Sequence, residues 1–62
     1  MDWATAIEGA RKGIETARAA RAISGSVVGP YRDNLQRETE AALLTAISFA
    51  RDALAMVRRD SQ

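Results

Sequence analysis

The chain has 62 residues, 47% of them hydrophobic and 27% charged, and nine basic against eight acidic residues leave a net charge of +1. Cys and His are both absent, which excludes disulfides, zinc held by thiolate or imidazole, and catalysis through the commonest general base or a cysteine nucleophile. A chain this short rarely gains more than about 3 to 5 kcal/mol from one core, so the staple that remains is self-association.

The near-zero net charge lacks the basic stripe of a nucleic-acid binder. The absence of cysteine leaves the redox compartment open. Met1-Asp2-Trp3-Ala4 has neither the positive segment nor the apolar run of a signal peptide. The apolar run Ala41 to Leu44 is far short of the roughly 20 residues a membrane span needs. A cytoplasmic protein with no membrane span is the expectation.

In chain order, the first predicted element is a helix over about residues 2–24. Asp2 is a good N-cap residue, and Gly25 is placed to take the left-handed cap conformation at the other end. Trp3, Ile7, Ala10, Ile14 and Ala17 recur in steps of four and three, the spacing of a packed seam. Beside this ridge, Ala6, Gly9, Ala10, Gly13, Ala17 and Ala20 form a smooth strip. Gly9 and Gly13 each cost about 1 kcal/mol relative to Ala inside a helix, which close helix packing would offset.

The turn falls in Ser24-Gly25-Ser26-Val27-Val28-Gly29-Pro30, the one cluster of turn residues in the chain, so residues 25–29 are read as the connection. Pro30 then opens a second helix to about residue 59, since its missing N–H is harmless in a first turn. The apolar stripe of this helix contains Leu35, Ala42, Leu43, Ala46, Ile47, Phe49, Ala50, Ala53, Leu54 and Val57. It covers nearly half the circumference, more than one neighbouring helix can bury. The opposite side, with Asp33, Arg37, Glu38, Glu40, Ser48, Arg51 and Asp52, is an ordinary solvated face.

The expected fold is therefore all-α, a single antiparallel two-helix hairpin assembling into a homo-oligomeric helical bundle. Its interface between copies is expected to draw on Trp3, Ile7, Gly9, Ala10, Gly13, Ile14 and Ala17, and on Leu35, Leu43, Ala46, Ile47, Phe49, Ala50, Ala53, Leu54 and Val57. The helices are unequal, so the longer one must project beyond the hairpin or kink.

Thr5-Ala6-Ile7-x-x-Ala10-Arg11 recurs as Thr45-Ala46-Ile47-x-x-Ala50-Arg51. A hairpin turning near Val27 would set Ile7 beside Ile47 and make the repeat a local pseudo-twofold. The commonness of Ala, Arg and Thr here, with helical periodicity, accounts for the match more simply than duplication does.

Little in the chain is suited to catalysis, and neither an enzymatic activity nor a metal or cofactor is expected. Gly25-x-x-x-Gly29-Pro30 lacks the Lys-Ser/Thr ending and the preceding strand of a phosphate-binding loop. The misplaced polar groups are Arg21, in line with Trp3, Ile7 and Ile14, and Arg32, within the second helix's apolar arc. With Ser24, Ser26 and Tyr31 they could form a pocket for a small anion such as a nucleotide, completed by another subunit. The plainer alternative is that the two arginines snorkel at the end of the stripe.

The leading functional reading is a homo-oligomeric interaction protein that receives a partner protein on its apolar faces. Capture of a small anionic ligand at Arg21, Ser24, Ser26, Tyr31 and Arg32 comes second. A nucleic-acid-binding accessory role comes third. In composition alone, the Ala- and Arg-rich helices resemble many small bacterial or phage proteins.

Overall fold

The computed structural model describes residues 2–61 and consists of two antiparallel helices, α1 (Trp3–Ser24) and α2 (Pro30–Asp60). They pack along one another into a rod of 50 × 15 × 13 Å. Among the described residues no helix is long and apolar enough to cross a membrane.

Local chemistry starts and stops each helix. The Asp2 carboxylate accepts the Thr5 backbone N–H at 2.8 Å, satisfying one of the orphan donors of the first turn. Hydrogen bonding by the Thr5 side chain and then by its backbone N–H holds the Asp2 carboxyl below its ordinary value of 3.8. A carboxyl lowered on folding adds stability above its unfolded pKa, and that stability is lost as the pH falls below 3.8 through the folded value. At the other end of the chain Arg58 and Arg59 occupy the last turn of α2, where positive charge meets the negative end of the helix dipole.

The connection corrects one expectation. Gly25 is not left-handed: its φ is −70° and its N–H donates to the Arg21 carbonyl, so the helical course continues through it. The left-handed residue is Gly29, at φ 84° and ψ −155°, a region that residues with a Cβ hardly enter. The chain reverses there, directly ahead of Pro30, rather than near Val27.

This later pivot shifts the register. Gly9 lies against the Phe49 ring, and Gly13 against Ala42 and Ala46. Ile7 is consequently level with about Ala50, most of a turn beyond Ile47, so Ile7 and Ile47 are not side by side. The end of α2 projects past Trp3 by about five residues, on the order of 7 Å at 1.5 Å per residue.

The α1 side of the seam between the helices is made of small side chains. On α1 it comprises Ala6, Gly13, Ala17, Ala20 and Ser24, all buried. On α2 it runs through Leu35, Thr39, Ala42, Ala46, Phe49, Ala53 and Met56, in alternating steps of four and three, each buried or half-buried. This is a heptad seam, but among the described residues Leu35 is the only large side chain in the buried core. Its two hydroxyls are satisfied locally: Ser24 donates to the Arg21 carbonyl at 2.9 Å and Thr39 to the Leu35 carbonyl at 2.8 Å.

Gly13 sets the spacing. A Cβ built there would meet the Ala42 carbonyl oxygen and the Ala46 Cβ, both at 2.8 Å, and neither can rotate away. At Gly9 the obstacle is the base of the Phe49 ring, its Cγ at 2.5 Å and both Cδ atoms at 2.6 Å, so an added Cβ would displace the whole ring. Gly13→Ala is therefore expected to lower the unfolding free energy in urea, because overpacking of about 1 to 3 kcal/mol exceeds the gain of about 1 kcal/mol in helix propensity. Gly9→Ala should destabilise as well, and a Gly13→Ala protein as stable as the parent would refute the close approach. In the turn, Gly29→Ala should cost about 1 to 3 kcal/mol for its backbone conformation. Gly25→Ala, with no neighbour nearer than 3.6 Å, should be neutral or slightly stabilising.

Candidate interaction face

Placing residues at 100° per position locates the large apolar side chains just outside the seam. On α1 the ridge of Trp3, Ile7 and Ile14 lies to one side of the Ala6–Gly13–Ala20 line. On α2 the stripe of Leu43, Ile47, Ala50, Leu54 and Val57 also recurs in steps of four and three. Because the helices are antiparallel, both stripes fall on the same broad face of the rod. Ile14, Ala17 and Arg21 accordingly line one groove together with Thr39 and Leu43 of the other helix.

This face is open. Trp3 keeps 51% of its surface exposed, Ile14 49%, Ile47 46% and Leu54 47%, with Leu43 and Val57 alike. Ile23, Val28, Tyr31 and Leu44 are also exposed, and of these only Tyr31 stands out from the sequence. Leu44 borders the α2 stripe, whereas Ile23 lies on the opposite side of α1, which is why the helical pattern does not group it with the others.

The residues expected between copies thus divide into two sets. Gly13, Ala17, Leu35, Ala46 and Ala53 are buried within the hairpin, and Gly9 and Phe49 cover one another. Their surfaces are used inside the chain. Trp3, Ile14, Leu43, Ile47, Ala50, Leu54 and Val57 are exposed, with Ile7 and Ala10 half-buried at the rim.

The turn end of the same face is polar. Arg21 and Ser24 line a hollow of about 330 Å³ with Gln36, Thr39, Glu40, Leu43 and Leu44. Of the residues considered for an anion pocket, these two come together, while Ser26, Tyr31 and Arg32 are exposed on the turn and the first turn of α2. Two features weigh against a dedicated anion site within one chain. Glu40 places a carboxylate in the hollow, and the Ser24 and Ser26 hydroxyls donate to the carbonyls of Arg21 and Ile23. Gln36, Thr39 and Glu40 were not candidates in the sequence, because only the register of the hairpin brings them opposite Arg21.

Comparison of the chain with protein-family models, with curated proteins and with solved structures finds no match. The functional reading therefore rests on the geometry of this face.

Proposed function

We propose that the protein is a non-enzymatic interaction protein that self-associates through the face carrying Ile14, Leu43, Ile47, Leu54 and Val57. The observation that carries the reading is the separation of side chains by size. Small residues make up the α1 side of the seam, no large side chain among the described residues is fully buried, and most of the large apolar ones stand outside the seam.

The surface area supports the same reading. A monomeric protein of 6.7 kDa exposes on the order of 3,900 Å² by the general scaling with mass. This chain exposes 4833 Å². The excess, about 900 Å², is close to the roughly 800 Å² that each partner contributes to a standard interface.

Apolar surface is also stabilising only once it is covered. At about 25 cal/mol per Å², leaving the stripe in water forgoes a contribution that a core of alanines cannot replace. A second copy supplies the covering surface without a further gene product, and an assembled bundle would keep the remaining exposed apolar side chains, Leu44 among them, for a different partner protein.

Ile47→Glu with Leu54→Glu tests the proposal, since both positions are exposed and Glu is a good helix former. The parent chain is expected to sediment as an oligomer at micromolar concentration, and the double variant as a helical species of monomer mass. A parent chain that sediments as a stable, well-folded monomer would refute the proposal.

A further inference from the structure

The arrangement of the copies can be taken further, on the premise of the self-association just proposed. Two identical hairpins meeting face to face in a closed dimer have two choices of twofold axis. An axis along the rod puts both turns at the same end and lays α1 of one copy along α2 of the other. An axis across the rod puts the turns at opposite ends and pairs each helix with its own counterpart.

From area and charge, we infer the first arrangement: a four-helix dimer with both turns at one end, in which Arg18 and Arg21 of each copy face Glu40 of the other.

The position of the stripe decides the area each arrangement buries. Its α2 part runs from Leu43 to Val57, toward the open end of the hairpin. With turns together, the faces overlap along the 50 × 15 Å side of the rod except for the projecting end of α2, on the order of 650 Å² and within the range of a standard interface, about 600 to 1,000 Å² per partner. With turns opposed, the two stripes coincide only when centred near Ala50. The overlap then shrinks to about 20 residues of α2, on the order of 30 Å, and both turn ends are left uncovered.

The register decides which charges meet. The pairing of Gly9 with Phe49 and of Gly13 with Ala42 and Ala46 sets Arg18 level with about Glu40. By helical position, Arg18 lies on the outer border of the face on α1, and Glu40 on the outer border on α2. Rotation about the long axis carries the α2 border of one copy over the α1 border of the other at the same height. Glu40 then meets the other copy's Arg18, with Arg21 one turn away. In the opposed arrangement Arg18 and Arg21 fall beyond the overlap, and Glu40 reaches only the end of the other α2.

The absence of cysteine makes the test clean. Ser26→Cys, exposed on the turn, carries a single spin label per chain. Packed helices lie about 8 to 10 Å apart, so turns at one end should give a label-to-label distance below about 30 Å by pulsed electron resonance. A distance beyond about 45 Å in a dimer would overturn this arrangement and leave self-association standing. A monomer in sedimentation would instead remove the self-association on which it rests.

Charge reversal gives an independent reading. Glu40→Arg alone, and Arg18→Glu with Arg21→Glu, should each weaken the dimer by about tenfold, because each sets like charges opposite one another twice. Mixing the two variants should restore parental affinity, since every facing pair in the mixed dimer is then of opposite sign. Variants that dimerise like the parent, or a mixture no tighter than its components, would overturn the inference. Should a variant fail to fold by circular dichroism, the label distance decides alone.

Discussion

The close approach of the two backbones at Gly13 governs the rest of the molecule. A Cβ at that position would lie 2.8 Å from the Ala42 carbonyl oxygen and from the Ala46 Cβ, so the helices are nearer there than any larger residue allows. A seam this narrow admits Ala, Gly and Ser along α1 and excludes bulk. Trp3, Ile14, Leu43, Ile47, Leu54 and Val57 must then stand outside it. α1 consequently turns a small stripe to its partner and a large one outward, while α2 turns inward a mixed stripe, with Leu35, Phe49 and Met56 among its alanines, and carries a large one outside it. Helices built to pack against two neighbours have this form.

Energetics and shape follow from the same constraint. Alanines bury little apolar area each, so the interior gain is small for a chain whose own length already limits it. A thin rod also has much surface for its mass. Both properties would be remedied by one event, the covering of the outer stripe. We propose that fold and self-association are therefore coupled, with the hairpin ordering the stripe and the neighbouring copy stabilising the hairpin.

The two-helix architecture, the Asp2 cap and the opening of α2 at Pro30 were legible in the sequence, because each depends on a few neighbouring residues. The identity of the seam was less so. Periodicity marks an apolar arc on a helix but not which edge of that arc meets which neighbour. Trp3, Ile7 and Ile14 have the spacing of a seam, yet the inner line is displaced to Ala6, Gly13 and Ala20 because only small residues permit the close approach. The turn misled in a similar way. Gly25 and Gly29 are equally able to adopt positive φ, and the choice of Gly29 moves the pivot by about two residues and the register by about twice that. The candidate ligand residues inherit this shift: Arg21 and Ser24 share a hollow with Gln36, Thr39 and Glu40, partners that no local pattern connects to them.

The measurement that tests the central claim most directly is the dependence of thermal unfolding on protein concentration. If the outer stripe is covered by another copy, the unfolding midpoint should rise steadily as the chain is concentrated from about 1 to 100 micromolar, by mass action. Loss of helix and loss of oligomer should also coincide. A midpoint that stays constant across that range, with full helicity at the lowest concentration, would contradict the account.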